Sequence, residues 1–276
     1  MIQSIHDTVT LHNGVDMPWF GLGVFESKDG AEVQQAIQWA LEAGYRSFDT
    51  ASVYGNEKGV GQALKNCGIP RDQIFLTTKV WNTDQGFDST VSAFEASLER
   101  LQQEYIDLYL VHWPVQEKYK DTWRALEYLY NQKRVRSIGV SNFLVHHLKD
   151  LLTDCEIKPM VNQVEFHPRL SQPTLLDFCQ SEKIQVEAWS PIMRGKVLEI
   201  PELLEISKKY EKTPVQVALR WDLQHGVVTI PKSAQQQRII SNSEIFDFEL
   251  SREDMAAIDQ LDRGERVGPD PDNFNF

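Results

Sequence analysis

The feature that most constrains this chain is a rhythm. Eight short apolar runs recur along it, and segments of helical periodicity separate them. The runs are WFGLGVF, YRSFDTA, IFLTTKV, YIDLYLVHW, VRSIGVSN, MVNQVEFHP, IQVEAWSP and VVTIPKS. The helical segments are AEVQQAIQWALEAG (closed by Gly44), EKGVGQALKNCG, STVSAFEASLERLQ, TWRALEYLYNQ, LVHHLKDLLTD and TLLDFCQSEK, then LLEISKKYEK and PVQVALRWDLQHG. Strands that are apolar almost throughout belong to a parallel sheet covered on both faces. Eight strand–helix pairs favour a closed (β/α)8 barrel over an open doubly wound sheet. The 276-residue length suits one such barrel, and no linker or composition break interrupts it, so a single domain over 1–276 is expected.

The opening TVTLHNGVDMP alternates around Asn13-Gly14, which predicts a β-hairpin. Two further helices, QQRIISNSEIF and REDMAAIDQLD, are expected beyond the barrel as extras. The tail DRGERVGPDPDNFNF carries Phe274 and Phe276, which need burial, so an ordered loop over the site is expected there.

In a barrel of this kind the functional site lies at the C-terminal ends of the strands. Here the apolar runs stop at Asp49, Lys79, His112, Ser141-Asn142, Gln163, Trp189-Ser190 and Lys232-Ser233. Tyr54 follows five residues after Asp49, close enough to reach the same rim. Singly, each residue has a plainer explanation. Asp49 caps a turn, Tyr54 is a half-buried aromatic, Lys79 is a solvated strand end and His112 bonds a carbonyl. Together they form a tuned proton donor. A free tyrosine is a poor acid at neutral pH, and a neighbouring ammonium lowers its pKa. With Lys79 held by Asp49, and with His112 beside it, Tyr54 suits proton delivery to a carbonyl oxygen while a cofactor brings a hydride.

Composition narrows the partners. A net charge of −12 argues against nucleic acid or an anionic membrane. No apolar stretch reaches the roughly 18 residues of a membrane span, and the N-terminus lacks a signal-peptide core. Cys67, Cys155 and Cys179 form no disulfide or metal pattern. His146-His147 lie on a predicted helix and face different ways, so no metal is expected. The chain reads as a cytoplasmic, monomeric enzyme for a small molecule. Gly21-Leu22-Gly23 begins a dinucleotide fingerprint, but Glu26 stands where its third glycine belongs.

The longer motifs carry a resemblance. FDTASVYGNEKGVG, TTKVWN, LVHWP, GVSNF, NQVEFHP and IPKS follow one another as in the aldo-keto reductases, over nearly the whole chain. AWSPIM and DFELSREDM are most similar to the bacterial branch of glyoxal, methylglyoxal and 2,5-diketogluconate reductases. The resemblance implies Tyr54 as proton donor, Lys79 and Asp49 as its tuning pair and His112 as the residue orienting the substrate. It implies NADPH as cofactor. Ser141, Asn142 and Gln163 would hold the nicotinamide carboxamide, and Trp189 would stack on the ring. Ser190 and Ile192 would meet the pyrophosphate. Lys232, Ser233 and Arg238 would take the 2′-phosphate, with Asn242 at the adenine. Ser241 departs from the family's usual Glu, which puts one adenine contact in doubt.

Phe25, Trp81, His112 and Trp113 are expected to line the substrate pocket. Arg194 and Lys196 either attract an anionic sugar acid or brace the pyrophosphate. The favoured reading is a reductase of small aldehydes and α-dicarbonyls. A keto-sugar reductase is the alternative, and a barrel that senses NADPH is the alternative of another class. A phosphate-binding isomerase or lyase leaves Tyr54 and Trp189 unexplained.

Overall fold

The structure is a computed structural model that describes residues 2–274. Strands β1 (Thr8–Thr10) and β2 (Asp16–Pro18) pair antiparallel, and Gly14 takes the positive φ of +86° that their turn requires. His12 and Asn13 in this hairpin bond the carbonyls of Pro159 and Arg136. Those carbonyls lie at the N-terminal ends of two barrel strands, so the hairpin covers the end opposite the strand tips.

Eight parallel strands follow: β3 (Leu22–Gly23), β4 (Ser47–Asp49), β5 (Phe75–Val80), β6 (Ile106–Val111), β7 (Val135–Ser141), β8 (Val161–Glu165), β9 (Gln185–Trp189) and β10 (Val228–Thr229). Each pairs with its sequence neighbours. The sheet curls shut where Thr229 N–H donates to Trp19 O at 3.1 Å and Gly21 N–H to Thr229 O at 3.1 Å. Strands β5 and β6 are buried at every position, as their apolar runs require.

Helices α1 (Ala31–Glu42), α2 (Glu57–Asn66), α3 (Phe87–Leu101), α4 (Tyr119–Asn131), α5 (Val145–Leu152) and α6 (Pro173–Glu182) return the chain between successive strands. Then come α7 (Pro201–Lys209), α8 (Pro214–Gln224), α9 (Gln236–Ser243) and α10 (Arg252–Asp259). Local chemistry sets their ends. Gly44 closes α1 at φ +95°. Thr213 and Gln216 form a capping box with Pro214 in the first turn of α8.

One expectation is corrected. The QQRIISNSEIF helix, α9, packs against α1 and α8 and is the eighth helix of the barrel itself. The additional helices are α7 and α10, which pack on each other. Helical periodicity is the same for a barrel helix and an appended one, so the pattern could not separate them.

Gly61 marks a close helix approach. A Cβ there would lie 2.2 Å from the carbonyl oxygen of Leu101, so the end of α3 rests on bare α2 backbone. Gly61→Ala is expected to lower stability by about 1–3 kcal/mol, the usual cost of overpacking. Thermal and urea unfolding measure it, and an unchanged midpoint would contradict this contact.

Candidate active site

The strand tips gather the expected polar side chains around one cavity of about 620 Å³. Beneath it, Lys79 is fully buried, and its ammonium donates to Asp49 Oδ1 at 2.6 Å, Asp49 Oδ2 at 2.8 Å and Thr50 O at 2.9 Å. The Tyr54 hydroxyl stands 3.5 Å from the same nitrogen. Tyr54 is placed by a single turn of 3₁₀ helix over Ser52–Tyr54, just after β4. Ser52 Oγ bonds Lys79 O at 3.1 Å and ties that turn to the end of β5. His112 completes the group, its ring 5.8 Å from the Tyr54 ring and edge-on to it.

The electrostatics divide these residues. Burial disfavours the Lys79 ammonium, but Asp49, Tyr54 and Glu187 together outweigh that cost, so the pKa is raised and the charge is kept. Burial, with the Lys79 charge, pushes His112 well below its ordinary value and leaves the imidazole neutral. The sequence leads one to expect a lowered Tyr54 pKa. In the structure burial pushes the phenol up and outweighs the pull of Lys79, while Asp49 and Glu187 add to the rise. Tyr54 therefore holds its proton at neutral pH.

A second network joins later strands. Ser141, Gln163 and Glu187 are lateral neighbours on β7, β8 and β9. Ser141 Oγ donates to Gln163 O at 2.9 Å. Asn142, at φ +66°, donates to His112 O at 2.9 Å and accepts from Trp189 Nε1 at 2.8 Å, which pins the indole at the cavity wall. After β9 the backbone turns left-handed at Ser190, Met193, Arg194 and Gly195. That loop brings Ser190, Ile192 and Arg194 to the cavity. Lys232, Ser233 and Arg238 line its far end, where β10 leads into α9. Asn242 is buried on α9 and is not among the lining residues.

Phe25, Trp81 and Trp113 line the cavity as expected, joined by Val53, which the sequence reading missed. The tail does reach the site. Val267 N–H donates to the buried Glu165 carboxylate at 2.5 Å, which also meets His167 at 3.0 Å. Gly268 then lies so close to Trp189 that a Cβ would be 2.3 Å from the indole. Phe274 packs on Trp113 with ring centroids 4.4 Å apart, while Phe276 lies outside the described residues. Asp272 pairs with His146 at 3.0 Å and His147 at 3.5 Å. The two imidazoles therefore converge on the tail, with ring centroids 4.0 Å apart, and do not face apart as adjacent helix positions suggest.

The sequence reading also passed over Glu187, which is fully buried and bonded to Gln163. Its signal was a charged residue two positions before a strand end, on the barrel-facing side of Trp189. Arg194 sits 3.9 Å from Glu26, both exposed, so its charge is partly countered at the cavity mouth.

A parallel eight-stranded barrel with an acid, an ammonium and a neutral imidazole at one rim, and a cationic lobe at the far side, defines an oxidoreductase that takes its reducing group from a bound cofactor. The chain belongs to the aldo/keto reductase family, whose profile matches residues 19–263. It is 60% identical to glyoxal reductase of Bacillus subtilis over 276 residues, covering 100% of both chains. It is 44% identical to methylglyoxal reductase DkgA of Escherichia coli K12, over 96% of this chain and 97% of that one. A Gox0644 variant crystallised in complex with NADPH superposes with a TM-score of 0.93 at 42% identity, covering 98% of this chain and 99% of the other.

The buried pair can be weighed by mutation. Asp49→Leu strands the Lys79 ammonium and is expected to cost about 3–5 kcal/mol, whereas Asp49→Leu with Lys79→Met should recover much of that loss. Urea unfolding of the two single variants and the double closes the cycle. A double variant as unstable as the sum of the singles would show that the two groups do not interact.

Proposed function

We propose that this protein is an NADPH-dependent reductase of small aldehydes and α-dicarbonyls, of the glyoxal and methylglyoxal type. The observation that carries the reading is the Tyr54 hydroxyl, 3.5 Å from a fully buried ammonium, at the base of an aromatic-walled pocket. The names of the two bacterial relatives support the substrate class.

The cavity fits the cofactor. Trp189, braced by Asn142 and Gly268, offers a flat face for a nicotinamide ring. Asn142 and Gln163 offer amide oxygens for the carboxamide, their own amide hydrogens being donated within the barrel. The loop at Ser190 and Ile192 suits a pyrophosphate, and Lys232, Ser233 and Arg238 form a pocket for a 2′-phosphate in a chain of net charge −12. When bound, NADPH supplies the hydride that reduces the carbonyl carbon.

The chain's own residues do the rest. Neutral His112 donates one hydrogen bond to the carbonyl oxygen. Its Nδ1 is buried with no partner among the described residues, so the hydrogen belongs on Nε2. Tyr54 gives its proton to the oxygen as negative charge develops there, and the alcohol forms. The phenolate left behind is stabilised by Lys79, whose charge is anchored by Asp49. Phe25, Val53, Trp81, Trp113 and Phe274 make the remaining wall apolar, which suits a small neutral carbonyl. Free Cys67, Cys155 and Cys179 suit the reducing cytoplasm.

Tyr54→Phe should lose at least about 10²-fold in turnover, the usual worth of a general acid, while NADPH still binds. The assay follows NADPH oxidation with methylglyoxal, phenylglyoxal, a benzaldehyde and 2,5-diketogluconate. Preference for the diketo acid would favour the keto-sugar reading. NADPH binding without turnover of any carbonyl would favour a sensor.

Lys232→Ala combined with Arg238→Ala should weaken NADPH far more than NADH. Equal losses in a binding titration would remove the 2′-phosphate assignment.

A further inference from the structure

Below the proposed hydride site lies a carboxyl that the reaction as described does not use. Glu187 is fully buried inside the barrel. Its Oε2 accepts from Gln163 Nε2 at 2.7 Å, and the same nitrogen donates to Asp49 Oδ2 at 2.7 Å. Both amide hydrogens of Gln163 are thus committed, one to each carboxyl group. Two acids share one ammonium, Lys79, and Lys79 is bonded to Asp49 through both carboxylate oxygens.

Charge balance then decides the protonation. Two carboxylates and one ammonium in a water-excluded barrel leave an uncompensated charge, which is costly. Asp49 receives Lys79 and Gln163, whereas Glu187 receives only a neutral amide. Its Oε1 is buried with no partner among the described residues. The proton therefore resides on Glu187.

We propose that Glu187 is a positioning residue that is held protonated and, with Asp49, fixes the orientation of the Gln163 amide. An amide oxygen in place of Nε2 would stand 2.7 Å from the Asp49 carboxylate, which is repulsive. The Gln163 amide oxygen is then the polar atom left for the cavity that Gln163 lines, suited to accept from the –NH2 of a carboxamide. The inference rests on the NADPH reading above.

Neutrality of Glu187 also matters to the acid. Burial first, and Asp49 next, push its carboxyl up to about 8, with the Gln163 bond and Lys79 opposing. The charged or titratable groups acting on it are Asp49 and Lys79, and Glu187 in turn acts on Tyr54. Once ionised, Glu187 raises the Tyr54 pKa further and makes it a poorer proton donor. Reduction should therefore slow as pH rises through about 8. Stability follows the same group. The folded state keeps a proton that the unfolded state loses near 4.5, so folding stability falls between about 4.5 and about 8.

The test compares wild type, Glu187→Gln and Glu187→Leu. NADPH binding is read by quenching of tryptophan fluorescence, turnover of methylglyoxal as kcat and KM against pH, and folding by urea midpoints against pH. Glu187→Leu should weaken NADPH by roughly two- to tenfold, the span of one lost hydrogen bond, with the KM for methylglyoxal less affected. Glu187→Gln, a neutral acceptor of the same shape, should recover that affinity. It should also lose the alkaline fall in kcat near 8 and the decline of the urea midpoint between about 4.5 and about 8. An alkaline limb and midpoint profile unchanged in Glu187→Gln, or wild-type NADPH affinity in folded Glu187→Leu, would overturn the proposal. Failure of wild type itself to bind NADPH would instead sink the cofactor reading.

Discussion

The site is organised by one buried ion pair. Lys79 has no contact with solvent, and a charge so placed persists only because Asp49 meets it at 2.6 Å and Thr50 O at 2.9 Å. The pair sets the local field in which every other group titrates. The Lys79 charge adds to the burial that holds His112 neutral and opposes the rise of Tyr54, while Asp49 adds to that rise and also accepts from Gln163. The polar interior is unusual for a barrel core, and it extends below the strand tips through buried Ser47, Thr77 and Ser137. Around it the hydrophobic core includes Phe48, Leu76, Leu108 and Ile138.

The tail does for Trp189 what Asp49 does for Lys79. Glu165 at the end of β8 receives the backbone of Val267, and the next residue, Gly268, lies against the indole. Asn142 holds the indole nitrogen from another strand. A half-buried aromatic in a cavity wall would otherwise be free to turn. Held from both directions, it is a fixed surface. Farther along, Asp272 reaches the His146-His147 pair and Phe274 covers Trp113, so the tail is anchored on both sides of the pocket mouth.

Much of this was legible before any coordinates. The period of the apolar runs implied parallel strands, and the polar residues at their ends implied a shared rim. Asp49, Tyr54, Lys79 and His112 do meet there. The rest has specific physical reasons for being hidden. Amphipathic periodicity marks α9 as a helix but does not say what it packs against. A lone acid inside an apolar strand, such as Glu187, is silent until its neighbours on β8 are known. The direction of the Tyr54 shift depends on burial against charge, and only the first-named partner, Lys79, could be read from the motif.

The order of residues along the strands was therefore enough to determine the barrel, the rim and the chemical types on it. Alternation and strand length are local properties, and each is written in a few consecutive residues. What only the tertiary structure decided are the relations between strands: which acid shares Gln163, which one keeps its proton, and how the tail fixes Trp189. These depend on distances between atoms more than 20 residues apart in the chain, up to 114 for Asp49 and Gln163. Electrostatic energies and close packing turn on differences of an ångström at such distances, which no local pattern encodes.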